Sequence, residues 1–225
     1  NLGQFYGAVV SAIAPSRTQK GVVWAGTNDG KVWINRQGTK ASWVDVTKNV
    51  PMPPWGIVRR IDSSHFDPGT AYMAVDYHLV DNRDPYLFKT NDFGATWTRI
   101  DAGLPKGHPL DYALVVTENP NRKGMLFAGT GHGFFYSKDD GKTWTQFKDK
   151  LAAAPVNWIE VPKNAPGVVI ATYGRGFWIL DDLTPIQQWN SAVQNSTAHL
   201  FAPRPAYRFR GMIVPYASGD DNTIG

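Results

Sequence analysis

Thr90-Asn91-Asp92-Phe93-Gly94-Ala95-Thr96-Trp97 returns later in the chain as Ser137-Lys138-Asp139-Asp140-Gly141-Lys142-Thr143-Trp144. Both stretches fit Ser/Thr-x-Asp-x-Gly-x-Thr-Trp, and each residue type has a mechanical reason. The carboxylate of Asp92 or Asp139 can accept backbone N–H bonds across a turn, and Gly94 or Gly141 supplies a positive φ. Trp97 or Trp144 is then free to pack between neighbouring sheets. A third, decayed copy runs from Asn35-Arg36-Gln37-Gly38 to Ser42-Trp43; it keeps the glycine and the tryptophan, lacks the aspartate, and predicts a looser turn.

Working outward, three glycine-centred stretches align with one another: Ala25-Gly26-Thr27-Asn28-Asp29-Gly30, Ala128-Gly129-Thr130-Gly131-His132-Gly133 and Ala171-Thr172-Tyr173-Gly174-Arg175-Gly176. Runs such as Val22-Val23-Trp24 and Val168-Val169-Ile170 precede the pivots. Val32-Trp33-Ile34, Phe134-Phe135-Tyr136 and Phe177-Trp178-Ile179 follow them, so each unit reads as a hairpin with a tight turn. Short strands recurring with this spacing are the signature of β-propeller blades, whereas a solenoid uses shorter units and a sandwich shows no repeat.

The predicted fold class is therefore all-β: about four blades of four-stranded antiparallel sheet, at 9–46, 57–100, 112–147 and 158–180, forming part of a larger ring. Residues 1–185 are assigned to the blades and 186–225 to a linker and the start of a following segment, with 206–214 a possible first strand. The fourth blade is incomplete, lacking an aspartate turn. An open arc would leave strand edges unpaired, so further blades are expected from the rest of a longer chain.

Composition agrees with a turn-rich β protein. All but two of the 19 acidic residues are aspartate, the exceptions being Glu118 and Glu160, which suits turns better than helices. A net charge of +4 with scattered Lys and Arg gives no nucleic-acid stripe. No apolar run is long enough to cross a bilayer. The absence of cysteine removes disulfides and thiolate metal sites and leaves the compartment open.

The two aspartate motifs, Tyr173-Gly174-Arg175-Gly176-Phe177-Trp178-Ile179-Leu180-Asp181-Asp182 and Leu200-Phe201-Ala202-Pro203-Arg204-Pro205 together resemble a bacterial family of large exported proteins. These are described as sortilin-like or glycosyl-hydrolase-like Asp-box (BNR) repeat proteins. The resemblance covers nearly the whole chain and implies the end of a propeller region in a secreted or periplasmic protein. The hydrolase label in that family reflects repeats shared with sialidases and xyloglucanases.

In a propeller, ligands meet the loops joining second to third strands and the loops joining one blade to the next, with Asp-boxes on the opposite face. Asp92, Gly94, Trp97, Asp139, Gly141 and Trp144 are thereby read as structural, and Asp140 with them. The ligand-face candidates are Asp29, His132, Tyr173 and Arg175 on tight turns, and Trp55, His108, Asp111 and Asn157 between blades. Trp55 is either an exposed platform or a plug between blades.

One internal loop is long, Asp76-Tyr77-His78-Leu79-Val80-Asp81-Asn82-Arg83-Asp84-Pro85. Extra length on a rigid scaffold often carries function. Asp76, Asp81 and Asp84, with Asp111, are the candidate carboxylates for glycoside hydrolysis, which needs two. The same loop aspartates could hold Ca²⁺ or simply keep the loop solvated. His65, His78, His108, His132 and His199 make no metal-ligand spacing along the chain, so no metal is assigned. Arg59, Arg60 and Arg175 could serve an anionic-ligand surface, but no sialidase arginine motif opens the blades.

With no complete catalytic constellation in the sequence, the expected function is a non-catalytic scaffold or binding module for protein or polysaccharide, without a cofactor. The alternative is a glycoside hydrolase whose cleft is completed by sequence outside these residues.

Overall fold

The computed structural model describes residues 8–38, 42–148, 151 and 153–203. Fifteen strands form four antiparallel sheets in chain order. The first holds β1 (Val10–Pro15), β2 (Val23–Thr27), β3 (Val32–Asn35) and β4 (Val44–Asp45). The second holds β5 (Ile57–Ser63), β6 (Ala71–Asp76), β7 (Tyr86–Thr90) and β8 (Thr98–Arg99). The third holds β9 (Ala113–Glu118), β10 (Leu126–Thr130), β11 (Phe134–Ser137) and β12 (Thr145–Gln146), and the fourth β13 (Val156–Glu160), β14 (Val168–Thr172) and β15 (Phe177–Leu180). Each sheet pairs every strand with its chain neighbour, and the opening strands β1, β5, β9 and β13 pack successively against one another. That is an arc of β-propeller blades, as the repeat predicts.

Strands with a blade on either side are covered on both faces, and β6 and β9 are buried at every position. The period of two then sorts side chains between cores. Met73 and Val75 face the first blade with Trp24, Ile34 and Val58, while Tyr72 and Ala74 face the third with Leu126 and Phe135. Likewise Val115 and Phe127 join Val156, Ile159 and Ile170 between the third and fourth blades. Each blade-to-blade contact thus owns a separate hydrophobic core.

Two of the repeated glycines make these contacts possible. A Cβ on Gly26 would stand 2.3 Å from the Val58 side chain, and one on Gly129 would stand 2.5 Å from the carbonyl oxygen of Val156. The opening strand of the next blade lies directly over the glycine.

The aspartate turns are superposable in their hydrogen bonding. Asp92 Oδ1 accepts from the Thr96 amide at 2.9 Å and Oδ2 from the Thr96 hydroxyl at 2.6 Å; Asp139 does the same with Thr143 at the same two distances. The Thr90 and Ser137 hydroxyls donate to these carboxylates at 2.8 Å and accept from the Gly94 and Gly141 amides. Gly94 and Gly141 have φ of +84° and +83°.

Trp97 and Trp144 are buried against the preceding blade, Trp97 edge-on to Trp24 and Trp144 donating its Nε1 to the Ile100 carbonyl. Trp43 holds the matching position in the decayed copy, and here the fold differs: Trp43 is 45% exposed. Its counterparts pack backwards onto the blade before them, and no described sheet lies on that side of the first blade.

The fourth sheet has three strands and is the incomplete blade. Without an aspartate turn to reverse the chain after β15, Asp181–Leu183 leads into a short helix, Thr184–Gln188, with Pro185 in its first turn, and then a second, Ser191–Gln194. Leu183 is buried with Val168 and Ile170, and Lys138 bonds the Trp189 carbonyl at 3.3 Å, so this segment folds back on the third and fourth blades. The strand expected at 206–214 lies outside the described residues. No described helix is long and apolar enough to cross a membrane.

Candidate functional site

Antiparallel alternation sends the β2–β3, β10–β11 and β14–β15 turns to one end of the arc, together with the connections that enter β5, β9 and β13. The Gly131 amide bonds the Tyr112 carbonyl at 3.1 Å and the Tyr173 amide bonds the Pro155 carbonyl at 2.8 Å, tying turns to entering connections. The aspartate turns lie at the opposite end, where Tyr72 donates to Asp140 at 2.9 Å and Glu118 accepts from Ser64 and from the His65 amide. Burial, with Glu118 and Asp140 beside it, pushes the Tyr72 hydroxyl pKa upward, as expected of a fixed structural donor.

On the candidate face, Asp29 and Trp55 share a cleft of about 330 Å³ with Lys31, Met52 and Pro53. Asp29 accepts from the Thr27 hydroxyl inside its own turn. Trp55 is 51% exposed, with a φ of +69°, and so does not plug the space between blades. Its neighbour Gly56 is tightly covered, since a Cβ there would lie 2.3 Å from the Tyr77 ring and force the buried Tyr77 to shift.

The long loop is built on Asp76. This carboxylate is fully buried; it accepts from the His78 amide at 2.9 Å, contacts His78 Nδ1 at 2.7 Å and pairs with Arg59 at 3.4 Å. His78 in turn stacks on Tyr112. Asp76 is therefore committed to holding the loop. Asp81 and Asp84 instead line an open hollow with Arg83, His108 and Pro109, Asp81 in the left-handed conformation at φ +64°.

Next to that hollow, His108 and His132 bring their ring centroids to 4.7 Å over the buried Asp111. Asp111 Oδ2 accepts from the His108 amide at 2.7 Å, and Oδ1 lies 3.7 Å from His132 Nε2. Among the described residues these three form the one group of His or carboxylate side chains close enough to share an ion, with ligand atoms all within 4.8 Å. The histidines have no metal spacing along the chain because strands β9 and β10 separate them; proximity comes from the hairpin.

The remaining candidates are dispersed. The side chains of Tyr173 and Arg175 are exposed on the β14–β15 turn. Asn157 lines a separate hollow of about 220 Å³ with Ser11, Ile57, Arg59 and Leu114, formed by the opening strands. Ser11 escaped the sequence reading, which weighed only turns and connections. Arg60 lies over the Trp158 ring at 3.8 Å and within 3.8 Å of Asp62, so it is engaged between blades.

The class these observations define is a β-propeller arc with clefts between its turns and blade connections. No protein-family model matches the chain. It is 26% identical over 171 residues, 72% of its length, to a xyloglucanase of a Paenibacillus species. It is 26% identical over 145 residues, 62% of its length, to a probable oligoxyloglucan-reducing end-specific xyloglucanase of Neosartorya fischeri. The chain spans 16% and 18% of these two relatives. Its fold is similar to the crystal structure of the GH74 xyloglucanase from Xanthomonas campestris, with a TM-score of 0.60 and 16% identity over 78% of this chain and 29% of the enzyme.

Proposed function

We propose that this chain is a propeller segment of an exported glycoside hydrolase acting on a xyloglucan-like polysaccharide. The observation that carries this reading is the likeness to a curated xyloglucanase across 72% of the chain. It favours the hydrolase alternative over the non-catalytic scaffold expected from the sequence. The repeated aspartate turns are read as Asp-boxes with a structural role.

Within this reading Trp55 is a sugar-stacking platform and Asp29 a hydroxyl acceptor beside it, a pairing suited to a polymer rich in C–H faces and hydroxyls. Asp81 and Asp84 are the carboxylates open to solvent on the same end. Hydrolysis needs one carboxylic acid to protonate the glycosidic oxygen and one carboxylate to direct water or attack the anomeric carbon. The chain spans 16% and 18% of the two relatives, and in this reading the cleft is completed by residues beyond these 225.

Reducing-end release from xyloglucan by the full-length protein tests the reading, with chitin as a control polymer. Trp55→Ala is expected to raise KM severalfold with a smaller change in kcat. Binding without cleavage would restore the scaffold reading, and neither binding nor cleavage would end both.

A further inference from the structure

We propose that His108, Asp111 and His132 form a binding site for one borderline divalent cation of the Zn²⁺ class. The inference stands on the geometry of these side chains and is independent of the hydrolase reading.

The argument starts from Asp111. Its Oδ2 is fixed by the His108 amide at 2.7 Å, which fixes the direction of Oδ1. Oδ1 is buried, on a residue only 1% exposed, and among the described residues no donor reaches it. An acceptor stripped of water and left unpaired is unfavourable, and such atoms in a native fold call for an explanation.

The explanation lies opposite. His132 Nδ1 is 2.8 Å from the Leu110 carbonyl, which only accepts, so Nδ1 carries the proton. In the neutral ring Nε2 then presents its lone pair to Asp111 Oδ1 across 3.7 Å. Two lone-pair donors facing each other at this distance repel unless something positive, a proton on Nε2 or a metal ion, lies between them. With metal–nitrogen and metal–oxygen bonds of about 2.0–2.2 Å, two ligands of a tetrahedral ion stand about 3.4 Å apart. The observed gap corresponds to a modest opening of that angle; the three ligand atoms as they stand lie within 4.8 Å of one another, and rotation of the exposed His108 ring closes the remaining distance.

His108 supplies the third donor. It is exposed, and its Nδ1 accepts one 3.2 Å bond from the Leu110 amide, the bond that ligation exchanges. Two imidazoles and one carboxylate favour Zn²⁺ or a similar transition ion over Ca²⁺ or Mg²⁺, which select oxygen ligands. The outer contacts are those a metal site uses: a carbonyl orients His132, and a backbone amide orients Asp111. Three protein ligands leave a fourth position for water, and His108 also lines the hollow that holds Asp81 and Asp84.

The test is calorimetric titration of the purified, untagged, chelator-stripped protein with ZnCl₂, with the visible spectrum of the Co²⁺ form as a geometric readout. The expected result is one equivalent bound at micromolar or lower Kd, a tetrahedral-type Co²⁺ spectrum, and no competition from millimolar Ca²⁺. His108→Ala and His132→Gln are each expected to weaken binding at least tenfold. Asp111→Asn is expected to do the same; should it unfold, the two histidine variants decide, because His108 is exposed and its loss leaves the fold intact. Absence of saturable Zn²⁺ binding, or an affinity unchanged in both histidine variants, overturns the proposal.

Discussion

The indole Nε1 of Trp144 donates a 2.6 Å hydrogen bond to the carbonyl oxygen of Ile100, joining the aspartate turn of one blade to the end of the preceding one. Its repeat partner Trp97 is equally buried, but among the described residues its Nε1 finds no acceptor. Trp144→Phe is therefore expected to cost about 1–3 kcal/mol more than Trp97→Phe, because it leaves the Ile100 carbonyl unpaired while the Trp97 change removes an already unpaired donor. Urea denaturation of the two variants checks this; equal losses would contradict it.

Gly129 and Gly26 make a second comparison. Both lie under the opening strand of the next blade, but the nearest obstacle is backbone at Gly129 and a valine side chain at Gly26. Gly129→Ala should destabilise by about 1–3 kcal/mol through overpacking, and by more than Gly26→Ala, where Val58 has room to change rotamer. Thermal melts of both variants measure the difference.

Acid should loosen the blades from their aspartate turns. Burial is the largest single influence on Asp92 and Asp139 and opposes their ionisation, but the bonds from Thr96 and Thr143, with those from Thr90 and Ser137, together outweigh it and hold both carboxyls below their usual range. A depressed folded pKa means the stabilisation is complete above the unfolded value of about 4 and is lost as pH falls through the lower folded values. The Asp92→Asn/Asp139→Asn double variant should show a flatter decline of stability below about pH 4 than the parent, read from denaturant midpoints at stepwise pH.

The long loop should depend on Asp76 for its order. Asp76→Ala removes the acceptor for the His78 amide and the partner of Arg59. Limited proteolysis is expected to cut within 79–84 faster in this variant, at unchanged cutting elsewhere; an unchanged pattern would show that the Asn82–Tyr86 contact is sufficient to hold the loop.

The blades were legible because the restraints that make them are local. Asp92 and Thr96, or Asp139 and Thr143, are close in sequence, so a turn that closes on itself leaves a readable motif. The candidate face was legible only as a set of turns. Its two groupings, Asp29 with Trp55 and His108 with Asp111 and His132, join residues that no spacing rule connects. Trp43 went the other way: its motif was present, but burial requires a neighbouring surface, which a motif cannot supply.

What the sequence determined by itself was the repeat: strand alternation, glycine at the pivots and aspartate at the corners, each dictated by backbone chemistry within a few residues. What only the tertiary structure decided was which tryptophans are covered, which aspartates are committed to scaffolding, and which side chains meet between one blade and the next. Those outcomes depend on contacts between distant segments, and their geometry exists only once the blades have packed.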